Sequence, residues 1–346
     1  MRKSITIKDL ARMAGVSVSS VARALNDRPD VAPETKQRIL DLAEEVGYVP
    51  NALARDLRTE VTRSIGMVVS DNSNPFFALL IRGVQDEAIE RRFNVAFANS
   101  DENYQQEIEA IRFLQELRVS GLLLAPTTNS VDHVFRYGGK SFPLVLVSRR
   151  IENTDVNWII GDDVHGAYLA TKHLLDLGYR DIIFINGPLH ISNARDRLEG
   201  YKRALADFKV DYNTQLVYDG HLNAGDGYNT AQKLIMHCKP RAIFCYSDFV
   251  AVGVVRALTE NKLRVPEQVA VVGYDDIELA RYLPVPLTTI RQSAYRLGRL
   301  SAKHLIDIIE GKNTETTPFH VSISPELIIR QTTSHTGLPD TGCRTE

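Results

Sequence analysis

From Ser64 onward, short apolar runs recur at intervals that leave room for one helix between each pair: IGMVVS, FNVAFAN, GLLLAP and PLVLVS, then DIIFING, AIFCYSD and VAVVGYDD. Runs that are apolar throughout are buried on both faces, and strands alternating with amphipathic helices build a parallel sheet covered by helices on both sides. The order strand, polar loop, amphipathic helix occurs over residues 65–91 and again over 182–208, so two similar α/β lobes are expected rather than one large sheet. Open sheets of this kind bind ligands at the carboxyl ends of their strands, and two lobes facing one another make a cleft.

The N-terminal region follows a different grammar. In TIKDLARMAGVSVSSVARALN (residues 6–26), Leu10, Ala11 and Ala14 share one helix face, Gly15-Val16 makes a turn, and Ser17 can cap a second helix. Val21 and Leu25 stand one turn apart to pack inward, leaving Val18, Ser19, Ala22 and Arg23 outside. A third helix over residues 33–46, with Ile39, Leu42, Ala43 and Val46 inward, completes a minimal core. This is helix-turn-helix arithmetic, although a plain pair of helices in an all-α domain fits the same short pattern. The whole chain, at net charge -2, makes no electrostatic case for nucleic acid, but residues 1–26 carry five basic side chains against one acid. Residues 27–50 swing back with three basic against six acidic, so only one surface of this piece can face a polyanion. Residues 48–59 read as a linker with a short helix after Pro50, and residues 332–346, polar and aperiodic, as a disordered tail.

Other classes are disfavoured. Three cysteines without a CxxC pair suit neither a disulfide framework nor a zinc site and fit a reducing, cytoplasmic setting. No apolar stretch of about 18 residues and no secretory core occurs, which argues against a membrane protein and against a free-standing exported binding protein. A two-domain α/β enzyme or NAD-binding protein would need a GxGxxG turn, a P-loop, a GxSxG elbow or clustered histidines, none of which is present, so no cofactor or metal is expected.

The strings TIKDLARMAGVSVSSVARALN, VAPETKQRILDLAEEVGYVPNALARDL and SIGMVVSDNSNPFF stand in the order and spacing of the lactose and galactose repressor family (LacI/GalR), which the chain resembles to about Gln331. The resemblance implies a cytoplasmic, homodimeric transcription regulator and no enzyme. It would consist of an all-α helix-turn-helix headpiece (residues 1–49), a hinge helix (50–60) and a two-lobed, periplasmic-binding-protein-like α/β effector domain (61–331). Lobe 1 is expected over about 61–160 and 291–320, and lobe 2 over about 161–290 and 321–331. The implied partners are pseudo-palindromic operator DNA and a small-molecule effector, and a sugar, sugar acid or sugar phosphate is expected ahead of a purine.

The resemblance also implies residue roles. Val18, Ser19 and Arg23 would read bases from the start of the second helix, with Arg23 able to clamp a guanine and Val18 offering apolar contact to a thymine methyl. Ala22 stands where the family usually has Ser, so one hydroxyl contact is missing. Ser17 opens the same helix, and Thr6, Ser20 and Asn26 would touch phosphate, with capping or solvation an equal alternative for these three. Asn51, Ala54, Arg55, Leu57 and Arg58 fall in the hinge helix, which enters the minor groove and wedges Leu57 into a base step, unless Leu57 packs against the following domain instead. Effector contacts would come from Asn74, Phe76 and Phe77 after the first strand, Ser148 and Arg149 after PLVLV, and Arg197, Leu222, Ser247 and Asp275. Arg197 and Asp275 could also simply pair with each other. Ser148 and Ser247 replace the Asp and Asn of many sugar-binding relatives, so with Arg149, Arg195 and Arg197 nearby the cleft is expected to be comparatively positive.

Overall fold

The computed structural model describes residues 5–25, 30–48, 62–139, 141–312 and 317–333. The chain divides into two compact units, Met1–Thr62 and Arg63–Glu346.

In the first unit α1 (Ile7–Ala14), α2 (Val18–Leu25) and α3 (Pro33–Glu45) close on one core. Thr6 caps α1 in a reciprocal box with Asp9, each side chain accepting from the other residue's backbone N–H. Gly15 ends α1 at φ +66, a left-handed conformation that glycine adopts freely, and so turns the chain into α2. Leu10, Ala11, Ala14, Val21, Ala24, Ile39 and Ala43 are buried together, while Leu25, Leu42 and Val46 are half-buried around them.

The second unit carries two parallel sheets. The first has strand order β11-β5-β4-β3-β1-β2, from β1 (Ser64–Val69), β2 (Asn94–Asn99), β3 (Leu122–Leu124), β4 (Leu144–Val147), β5 (Asn157–Gly161) and β11 (His320–Ile323). The second has order β7-β6-β8-β9, from β6 (Ile182–Ile185), β7 (Val217–Tyr218), β8 (Ala242–Cys245) and β9 (Ala270–Val272). A separate antiparallel pair joins β10 (Thr289–Arg291) to β12 (Glu326–Ile328). Helices α4 (Pro75–Glu90), α5 (Tyr104–Glu116) and α6 (Asp132–Gly138) accompany the first sheet, and α7 (Asp163–Asp176), α8 (Ser192–Asp207), α9 (Ala224–His237), α10 (Asp248–Glu260) and the short α11 (Leu279–Tyr282) the second. The last helix, α12 (Ala294–Ile309), returns to pack on α4 and on β3, β4 and β5. The chain therefore passes between lobes three times: after β5, between β10 and α12, and between β11 and β12.

Two boundaries differ from expectation. Residues 321–323 belong to the first sheet, because Val321, Ser322 and Ile323 pair with Ile159, Ile160 and Gly161. Thr332 and Thr333 are buried rather than part of a free tail: Thr332 Oγ1 donates to the Val271 carbonyl at 2.7 Å, and Thr333 Oγ1 bonds Thr288 Oγ1 at 2.8 Å. Residues 334–346 and the linker over 49–61 lie outside the described residues.

Candidate functional site

On the first unit, Val18, Ser19 and Arg23 project from α2 into solvent, with Val18 41% exposed. An apolar side chain left out of so small a core is available for contact. Arg23 forms a surface ion pair with Asp30 at 3.1 Å. Ser17 Oγ accepts from the Ser20 N–H at 3.0 Å and so caps α2, the Thr6 hydroxyl caps α1, and the Ser20 hydroxyl bonds Ser17 Oγ at 2.9 Å. Asn26, Asn51, Ala54, Arg55, Leu57 and Arg58 lie outside the described residues.

In the second unit, residues beyond the carboxyl ends of both sheets line one cavity. From the first lobe come Asp71, Asn74, Phe76 and Phe77 at the turn into α4, Glu102 after β2, and Ser148 and Arg149 after β4. Asn74 caps α4, its Oδ1 accepting from the Phe76 N–H at 3.0 Å, and the Phe76 and Phe77 rings meet edge to face at 5.3 Å. From the second lobe come Asn193 and Arg197 of α8, Leu222, Tyr246, Asp275 and Gln292.

Charge in this cavity is paired within the protein. Arg197, 2% exposed, donates from Nε to Asp163 Oδ1 at 2.8 Å and from Nη1 to the Tyr246 carbonyl, and it stacks over the Tyr274 ring at 3.7 Å. Its Nη2 lies 3.9 Å from Asp275 Oδ1, a contact secondary to Asp163. Asp275 instead accepts from Gln292 Nε2 at 2.8 Å and sits at φ +115, an unusual backbone conformation for a residue with a side chain. Burial pushes Asp275 up to about 7 and Asp163 up to about 6, with Arg197 working against the rise in both. Arg149, 3% exposed, forks onto both oxygens of Glu102 at 2.7 and 2.5 Å. Burial would raise Glu102, but Arg149 holds it below its ordinary value. The Tyr246 hydroxyl donates to Asn193 Oδ1 at 3.1 Å.

Residues 62–332 match the family described as periplasmic binding proteins and sugar binding domain of LacI family, and residues 6–51 match bacterial regulatory proteins, lacI family. The chain belongs to the lacI family. Among curated relatives, the HTH-type transcriptional repressor PurR of Haemophilus influenzae (strain PittEE) is 36% identical over 332 residues, covering 94% of this chain and 98% of the relative. PurR of Photobacterium profundum is 34% identical over 328 residues, with the same shares covered. Among solved structures, the lac repressor dimer bound to operator and the anti-inducer ONPF superposes with TM-score 0.83 at 27% identity, covering 96% of this chain and 99% of that one. The CelR–cellobiose complex gives 0.72 at 29% identity, covering 95% and 99%. A regulator from Enterococcus faecium with bound ribose gives 0.70 at 28%, covering 78% and 98%. The protein is thus a ligand-regulated, DNA-binding transcriptional repressor and, like the family's members, not an enzyme.

Two expectations about the repressor's cavity need correction. Ser247 does not line it: its Oγ accepts from the Val250 N–H at 3.1 Å as the cap of α10, and the side chain one residue earlier, Tyr246, is on the wall. The cavity is not positive, since Asp71, Glu102 and Asp275 face two arginines there, and Arg195 is held outside by Glu152 at 3.2 Å. Asp71, Glu102, Asn193, Tyr246 and Gln292 were not anticipated; all but Asn193, which opens α8, lie within three residues of a strand end, and that position is their signal. Among the described residues no helix is long and apolar enough to cross a membrane, and no cluster of three or more His, Cys, Asp or Glu residues could hold a metal ion.

Proposed function

We propose that the repressor binds a pseudo-palindromic operator as a homodimer in the cytoplasm and is released from it by a compact, hydroxyl-bearing ring of sugar type held in the cavity between the lobes. The supporting observation is convergence: Arg197, the Asn193 amide and Gln292 as donors and Asp275 as acceptor meet at one end, and Phe76, Phe77 and Leu222 offer apolar surface. Hydroxyls both donate and accept, which suits such a mixed set. The solved relatives with cellobiose and ribose are consistent with this class. Because Asn74, Phe76 and Arg149 belong to one lobe and Arg197 and Asp275 to the other, occupancy favours one interlobe angle, and a ligand that prefers one state shifts the DNA-competent population. On the DNA side, Arg23, Val18 and Ser19 are assigned base contacts, and Leu57 the minor-groove wedge.

A purine base is the second reading, favoured by the PurR relatives; Leu222 gives it no aromatic partner on that wall. Thermal-shift screening of pentoses, hexoses, hypoxanthine and guanine, followed by titration of each hit into a preformed operator complex, tests both. A sugar that weakens operator binding is the expected result. A purine hit without a sugar hit replaces the first reading by the second, and hits that leave operator affinity unchanged remove the cavity from the switch.

A further inference from the structure

Building on the assignment of the cavity to the effector, we infer that the effector is uncharged and that Glu102 is the residue that imposes this selectivity. A buried guanidinium presenting two parallel N–H groups is the arrangement by which proteins capture a carboxylate or phosphate. Here the protein fills that fork itself. Arg149 Nη1 donates to Glu102 Oε2 at 2.7 Å and Nη2 to Oε1 at 2.5 Å, and Nη1 also reaches the Pro126 carbonyl at 3.1 Å.

The turn that delivers Glu102 is unusual. Asp101 and Glu102 stand consecutively at φ +48 and +54, a left-handed region that side-chain-bearing residues enter rarely. The Glu102 N–H is fixed to the Ser70 carbonyl at 2.8 Å and the Asn103 N–H to the Ser100 carbonyl at 2.8 Å. These bonds hold the carboxylate of the turn after β2 against an arginine that follows β4, with β1 and β3 lying between the two strands in the sheet. On the opposite wall Arg197 is likewise satisfied by Asp163, with Asp275 beside it. An incoming carboxylate or phosphate would have to displace Glu102, leave that charge buried without a partner, and sit among Asp71 and Asp275 as well. A neutral ring meets no such penalty, whether its polar groups are hydroxyls or ring N–H and carbonyl groups.

Calorimetric titration of the full-length protein with matched pairs, D-glucose against D-glucuronate and D-ribose against ribose 5-phosphate, tests this. The unmodified protein should bind neither anion more tightly than its neutral counterpart; the reverse order overturns the inference. Glu102→Gln keeps an oxygen for Arg149 and removes the charge, so affinity for glucuronate or ribose 5-phosphate should rise at least tenfold, and the gain should vanish in Glu102→Gln/Arg149→Met. No gain in a folded Glu102→Gln protein also overturns it. If Glu102→Gln does not fold, Glu102→Ala is assayed with propionate as a replacement carboxylate. Propionate should raise the melting temperature of the variant by several degrees more than that of the unmodified protein, and equal shifts refute the anion-site geometry. A gain of anion binding in Glu102→Gln, with operator affinity indifferent to every probe, would sustain the role of Glu102 while removing the effector assignment itself.

Discussion

The two units place their functional side chains in opposite environments. In the first, Val18, Ser19 and Arg23 stand in solvent on a helix whose other face supplies a core of a few small and aliphatic residues. In the second, buried Arg149 is compensated by Glu102, and buried Arg197 by Asp163 with Asp275 beside it. A surface that reads DNA needs side chains free to meet a partner that brings its own charge. A cavity that closes on a small molecule must settle its charges before the ligand arrives. Substitutions in the first unit should therefore alter binding with little effect on folding, and substitutions in the second should alter both.

The largest effect is expected from Asp163→Ala, which leaves Arg197 buried without its main partner and should cost about 3–5 kcal/mol of stability in the second unit, read from urea unfolding. A change below 1 kcal/mol would mean that Arg197 is compensated chiefly by the Tyr246 carbonyl and the Tyr274 ring. Next is pH. Asp275 titrates near 7 when folded and near 3.8 when unfolded, so between these values the folded state holds more protons. Its contribution is full below about pH 4 and is lost as pH rises through 7. Asp275→Asn should flatten that slope, gaining stability relative to the unmodified protein at pH 8 compared with pH 5; parallel curves would show that Asp275 does not titrate there.

Arg23→Ala should weaken operator binding by about 1–3 kcal/mol in fluorescence anisotropy. Its melting temperature should hardly move, because the exposed pair with Asp30 contributes about 0–1 kcal/mol. Equal weakening on random duplexes would make Arg23 a phosphate contact. The smallest expected effect is from Thr6→Ala, which removes the α1 cap at about 1 kcal/mol of first-unit stability by thermal unfolding, and unchanged stability would assign the hydroxyl to DNA instead.

Local order explains what could be read in advance. The apolar runs mark β1 to β4, β6, β8 and β9 but not β5, β7 or β11, and the outward face of α2 follows from helical periodicity. Asn74, Arg149 and Asp275 stand out because each follows a strand end or caps a helix, whereas Arg197, expected at a helix start, lies more than a turn inside α8. The Arg149–Glu102 and Arg197–Asp163 pairs join residues 47 and 34 positions apart, a separation that leaves no periodic trace, and the expectation of a positive cleft failed on them. Tyr246 and Ser247 exchanged roles because a strand end and a helix cap overlap there, and a one-residue offset decides which side chain faces the cavity. Thr332 and Thr333 look like tail because buried hydroxyls satisfied by Val271 and Thr288 carry no apolar signature.

Three passages of the chain between the lobes have a consequence for how the protein is made. The first sheet needs β11 at its edge and α12 against α4, and both lie beyond the whole of the second sheet in sequence. While the ribosome is still working, the N-terminal helices already have every residue of their own core, but the first lobe waits for segments made after the whole second sheet. Nascent chains halted shortly before residue 294 should carry a folded headpiece, a second lobe still lacking β12, and a first lobe exposing the faces of β3, β4 and β5 that α12 later covers. That interval is when the polypeptide is most open to chaperones and to aggregation.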